Sequence, residues 1–102
     1  MKLLTKEILK QFPPLYANED KDPKDVKIIA KFFDPTGSWT WFATEFDPST
    51  RTFFGFVKGF DNELGYFSLD ELQSVKGRFG LGIERDLHFG DHTLEEAMNK
   101  II

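Results

Sequence analysis

The segment IERDLHFGDH (83–92) carries both histidines of the chain, with Glu84, Asp86 and Asp91 interleaved. Carboxylate oxygens and imidazole nitrogens are metal donors, and a carboxylate beside a histidine is also a general acid–base pairing. The spacing argues against both chemistries. His88 and His92 stand four apart, which aligns side chains on a helix, but Gly90 falls between them and the capping residues place the helix start at Thr93. A solvated loop with ordinary histidines is expected, with no metal site and no catalytic residue. GRFGLG (77–82) has the glycine density of a phosphate cradle, yet it follows a helical pattern and lacks the strand-to-helix setting and the lysine. No serine lies in a Gly-x-Ser-x-Gly surround. With 0 cysteines, thiolate catalysis, disulfides and cysteine-ligated zinc are excluded, which is compatible with a reducing cytoplasm. No cofactor is expected.

A second set of residues points to binding. GSWTWFATEF (37–46) holds Trp39, Trp41, Phe42 and Phe46. Read with a period of two, Trp39, Trp41, Ala43 and Glu45 face one way, and Phe42 and Phe46 face the other. The next strand repeats this, with Phe54 and Phe56 opposite Phe53 and Val57. Rings on both faces leave two readings open: a small, strongly curved sheet enclosing them as core, or a face covered by a partner. Arg85 lies between the apolar anchors Ile83 and Leu87 and shares their face, so it needs a carboxylate. Glu45 is a plausible partner, as a structural latch or as a polar centre. The candidate binding residues are Trp39, Trp41, Glu45, Tyr66 and Arg85.

The elements that must position them follow from capping, period and turns. Thr5 caps a short helix with Leu4, Ile8, Leu9 and Phe12 on its apolar stripe, ended by Pro13 and Pro14. LYANEDKDPKD (15–25) has no period and reads as a connecting loop whose charges face water. From Val26 to Phe67 four β-rich runs alternate with turns, and DPTG (34–37) has Asp, Pro and Gly where a type I turn wants them. Ser68 with Glu71 opens a second helix carrying Leu69, Leu72 and Val75 and stopping at Gly77. RFGLGIERDLHF (78–89) reads as a glycine-punctuated loop leading to a short extended segment. Thr93 with Glu96 opens a third helix, with Leu94, Met98 and Ile101 on its stripe. The expected fold is α+β: an antiparallel four-stranded β-meander, strongly curved, with short helices at the N-terminus, after strand four and at the C-terminus, covering one face. Phe42, Phe46, Phe53 and Val57 are expected against Ile8, Leu69 and Leu72.

Length and charge bound the partners. A chain of 102 residues with 12 Phe and 29% charged residues is expected to fold as a single domain, residues 1–102. No apolar run reaches the roughly 18 residues of a membrane span, so a soluble, cytoplasmic protein is expected. Residues 1–31 hold seven Lys against five acids, residues 32–75 two bases against seven acids, and residues 76–102 four against five. The aromatic middle is therefore acidic, which disfavours phosphate backbones.

LLTKEILKQFPPLYANED, KFFDPTGSWTWFATEFDP, FFGFVKGFDNELGYFSLDEL and IERDLHF together cover nearly the whole chain. As a set they resemble a family of small bacterial proteins, often carried on plasmids or conjugative elements and known only as a domain of unknown function. The resemblance implies a mobile-element accessory protein whose relatives sit near antirestriction-type and DNA-transfer functions. It implies no reaction and assigns no residue. The leading functional expectation is a noncatalytic module that engages another protein through Trp39, Trp41 and Tyr66. Single-stranded nucleic acid is the alternative partner, because bases stack on such rings. A small hydrolase built on residues 84–92 ranks third.

Overall fold

The structure, a computed structural model, describes residues 2–76 and 80–102. In chain order it contains α1 (Lys6–Leu9), a 3-10 turn (Pro23–Asp25), β1 (Ala30–Phe33), β2 (Thr40–Asp47), β3 (Thr52–Lys58), β4 (Asn62–Ser68), α2 (Leu69–Ser74), β5 (Glu84–Arg85) and α3 (Leu94–Met98). The fold is α+β, with one open antiparallel sheet in the order β4-β3-β2-β1-β5. This is five strands where the sequence pattern predicts four. The addition is the short extended segment after the glycines: Arg85 and Glu84 pair with Phe32 and Phe33 on the outer edge of β1. Two residues carry no period, so β1 and not their own pattern sets their register. Gly77, the expected helix stop, and the first half of GRFGLG lie outside the described residues. Among the described residues no helix is long and apolar enough to cross a membrane.

The turns form for the reasons their residues suggest. Asp34 Oδ1 accepts from the Thr36 amide at 3.0 Å, and the Asp34 carbonyl accepts from the Gly37 amide at 3.2 Å. Asp47 does the same work in the next hairpin, taking the Ser49 amide at 2.9 Å and the Ser49 and Thr50 hydroxyls. These local bonds let an aspartate fold the chain back at low cost.

The sheet is not regular, and the irregularity reverses a prediction. In β2 the register shifts between Ala43, which faces Gly55, and Glu45, which faces Phe54. Thr44 is the extra residue of a β-bulge, fully buried, with its hydroxyl donating to the Phe54 carbonyl at 3.1 Å. Beyond a bulge the alternation restarts on the other parity. Phe46 therefore returns to the face of Trp41 and Ala43, while Glu45 crosses to the face of Phe42. Phe42 and Phe46, expected on one face, lie on opposite faces.

Each face has its own core. Phe46, Phe53, Trp41, Phe32 and Val57 pack with Leu3, Leu4, Ile8, Leu69, Leu72 and Ile83. Phe42 and Phe56 pack on the other side with Val26, Ile28, Leu94 and Ala97. The helices do not share one face as expected, since α3 covers the side opposite α1 and α2. The three helices stay short. Thr5 and Ser68 cap the first two by accepting the Ile8 and Glu71 amides. In α3 the buried stripe is Leu94 and Ala97, leaving Met98 36% and Ile101 67% exposed, contrary to the predicted stripe. Lys100 adopts φ 61°, its amide bonds Ala97 and the Ile101 amide bonds Glu96, a double closure that ends the helix without a glycine.

Two outcomes follow from these contacts. A Cβ added at Gly55 would overlap the Phe42 carbonyl beside the bulge. Gly55→Ala is expected to lower unfolding free energy by about 1–3 kcal/mol in urea titration, the usual range for overpacking. In α3 the Glu96 carboxyl is held below its usual range, first by the Thr93 amide and then by His92. A depressed folded value means the carboxylate stabilises the cap above the ordinary glutamate range, and this is lost as pH falls through the depressed value. Exchange of the Thr93 amide, followed by NMR, should accelerate over that acid window and become independent of pH there, after correction for intrinsic exchange, in Glu96→Gln.

Candidate functional site

Once the bulge has turned Glu45 away from the tryptophans, its side chain enters the second face. It is 3% exposed, a carboxylate where burial is costly unless hydrogen bonds compensate. They come from backbone: the Tyr16 amide donates to Oε1 at 2.7 Å and the Asn18 amide to Oε2 at 3.3 Å. The loop of residues 15–25 is thereby tied down at its aromatic end. Tyr16 has φ 73°, a left-handed conformation that costs a bulky side chain about 1–3 kcal/mol and persists only where the surroundings enforce it. Sequence reasoning missed Tyr16. The signal was a lone aromatic in an otherwise polar loop.

The Tyr16 ring reaches across to Tyr66 on β4, with ring centres 6.5 Å apart and the planes at 67°. Tyr66 in turn meets Phe54 edge to face at 5.1 Å. Together with Leu64, Glu19 and Glu45 these rings line a cleft of about 350 Å³. Tyr16 and Tyr66 are 63% and 55% exposed, so the rings present surface to solvent. A side-chain hydrogen bond with Tyr16 raises the Tyr66 pKa above its usual value, with burial and the charges of Glu45 and Glu19 acting in the same direction. The phenol stays neutral near pH 7 and sits in a negative field. The cleft is suited to hold a cation against ring faces.

The tryptophans occupy the opposite face. Trp41 is 9% exposed and belongs to the core, whereas Trp39 is half-buried above Gly59, 5.9 Å from Trp41 and edge to face with Phe60 at 5.3 Å. Trp39, Val57, Glu63, Glu71 and Leu72 line a second groove of about 320 Å³. Both grooves border β4. The predicted residues are thus divided: Glu45 and Tyr66 meet in one cleft, and Trp39 and Trp41 meet in the other.

Arg85 stands apart from both. It pairs opposite Phe32, so its side chain lies on the tryptophan face, away from Glu45, and the predicted Arg85–Glu45 pair does not form. Its Nη1 donates to the Leu3 carbonyl at 2.7 Å and the Lys2 carbonyl at 3.1 Å. Of the carboxylates and histidines of 84–92, Glu84, Asp86 and His88 border a cleft with Lys31 and Arg85, and three side chains have local partners. Asp86 is 3.6 Å from Lys31 and caps the His88 amide, Asp91 is 3.2 Å from Lys27, and His92 is 3.3 Å from Glu96. Among the described residues no three of His, Cys, Asp or Glu converge to hold a metal ion.

If Glu45 is the anchor of the tyrosine cleft, Glu45→Ala releases two charge-assisted bonds at once. Each is worth about 1.5–3 kcal/mol when made to a charged group. The expected result is a stability loss of about 3–6 kcal/mol by denaturant titration, with the Tyr16 and Asn18 amides becoming exchange-labile by NMR. Unchanged protection of both amides would show that the loop is held by other contacts.

No curated protein and no solved structure matches the chain. Family comparison covers nearly all of it, from the first leucine to the end of α3. The family described as "Protein of unknown function (DUF2958)" matches residues 3–98, and the chain belongs to that family.

Proposed function

We propose that this chain is a noncatalytic protein-binding module, acting in the bacterial cytoplasm as an accessory protein of mobile elements. The accessory role rests on the resemblance carried by the long sequence motifs. The binding role is carried by one observation: aromatic side chains beyond those the core needs gather around a single structural feature, the β3–β4 hairpin. Phe60 at its tip is 94% exposed, and Tyr16, Tyr66 and Trp39 flank its outer strand. Tyrosine and tryptophan are the residues that most often dominate interface energetics, because they bury large rigid area at small entropic cost. Glu19, Glu45, Glu63 and Glu71 border the same grooves, favouring a basic protein over a phosphate backbone. A noncatalytic role is supported by the local ion pairs that occupy Asp86, Asp91 and His92.

Capture of partners from a bacterial host by the wild-type chain, identified by mass spectrometry, tests this reading when repeated with Tyr66→Ala and Trp39→Ala. Each variant is expected to keep its circular dichroism spectrum and to bind about 30-fold more weakly, the loss of about 2 kcal/mol typical of a hot spot. Tight, salt-sensitive binding of a labelled single-stranded oligonucleotide, measured by fluorescence anisotropy, would reverse the assignment in favour of nucleic acid.

A further inference from the structure

We propose that β4 receives an extended, basic segment of the partner as a sixth strand, and that the arginine or lysine side chains of that segment enter the tyrosine cleft. This rests on the protein-binding reading and adds the mode and chemistry of recognition.

Three observations carry it. The first is the edge itself. β4 runs for seven residues, Asn62–Ser68, at one end of the sheet, and among the described residues no strand pairs with its outer side. Such an edge presents unpaired amides and carbonyls, which an incoming strand can satisfy without further rearrangement. The second is the position of the grooves. Side chains of an added strand alternate between faces, so successive residues would lie beside Leu64 and Tyr66 on one side and beside Glu63, Gly65 and Phe67 on the other. Those are the two sides on which the tyrosine and tryptophan grooves open. A Cβ at Gly65 would meet nothing within 4 Å, leaving room on the strand for a bulky neighbour.

The third observation is charge. Glu19 and Glu45 line the tyrosine cleft against the single cation Lys21 among its described lining residues. Glu63 and Glu71 border the other groove. A guanidinium or ammonium group in the first cleft would lie against the Tyr16 and Tyr66 rings, whose faces attract cations, within the field of both carboxylates. The tryptophan groove, with Val57 and Leu72 on its walls, suits the intervening apolar side chains. Glu45 also holds Tyr16 before any partner arrives, so part of the ordering cost of binding is already met.

The probe is an acetylated, amidated hexapeptide alternating arginine and valine, titrated into the full chain and followed by tryptophan fluorescence and by amide exchange. Saturable binding is expected, with new protection along β4. Replacing arginine by citrulline keeps the shape but removes the charge and turns one donor group into a carbonyl acceptor, and is expected to weaken binding at least tenfold. Tyr66→Ala should give a similar loss for the arginine peptide with its fold intact, and little change for the citrulline peptide. N-methylation of every second peptide residue blocks one edge of the strand. One of the two methylated series should lose binding and the other keep it. Equal binding of both series would overturn strand addition, and equal binding of arginine and citrulline peptides would overturn the cation site. Failure of every peptide to bind would overturn both. A dimer by sedimentation with β4 already protected would assign the edge to a second copy and overturn the proposal. If a captured protein depends on Tyr66 and Trp39 while neither methylated series competes differently, the binding module stands and the strand mode falls. If the captured protein ignores both substitutions, the module itself falls.

Discussion

The extra residue in β2 governs the molecule. Without Thr44 out of register, Glu45 would lie among the tryptophans and Phe46 would leave the core it shares with Phe53, where the ring centres are 4.6 Å apart. A bulge costs ladder regularity and adds local twist, and it persists where the displaced residue finds a partner. Here the displaced hydroxyl donates to the Phe54 carbonyl, so the irregularity leaves no buried side-chain polar atom unsatisfied. The same stretch demands close approach between strands. Gly55 faces Ala43 across the ladder, and only a glycine lets the chain lie against the Phe42 carbonyl.

Two thin cores follow from that geometry. A sheet of this size with rings on both faces needs cover on both, and the chain supplies it with residues 3–12 and α2 on one side and α3 on the other. The sheet is not buried evenly. β2 is buried at six consecutive positions, while β4 has no residue in the buried class. Burial falls away toward the β4 edge, and that is where exposed aromatics accumulate. The aromatic crowd of residues 37–50 is accordingly mostly core, with Trp39 as its half-buried rim.

What was legible in the sequence was local. Asp34 and Asp47 act through atoms two or three residues away, and Thr5, Ser68 and Thr93 cap through the third residue on, so short patterns carry these features whole. The β-runs were legible because their periods span four to eight residues. The misassigned features depend on partners distant in the chain. The bulge at Thr44 has no residue signature of its own and is dictated by where Phe53 and Phe54 must lie. β5 is two residues long and exists because β1 has an edge to pair. The stop at Lys100 uses a left-handed lysine where a glycine would be expected. The sequence pattern makes Glu45 a carboxylate partner for Arg85 on the tryptophan face; the structure instead buries it on the other face against amides 29 and 27 residues away.

The exchange of partners between Glu45 and Arg85 has a physical logic. Paired together they would form a buried ion pair, whose desolvation commonly cancels its Coulomb gain. Used separately, each charged group fixes a segment that has little regular structure of its own: Arg85 holds the Lys2 and Leu3 carbonyls, and Glu45 holds the Tyr16 and Asn18 amides. Both segments belong to the N-terminal part of the chain that contributes no strand to the sheet. Ordering them brings Leu3 and Leu4 into one core and sets the Tyr16 ring beside Tyr66 over the other face. A carboxylate positioned by a sheet irregularity thus gives the tyrosine cleft a fixed wall, and that wall stands beside the long edge of β4, which no strand among the described residues pairs.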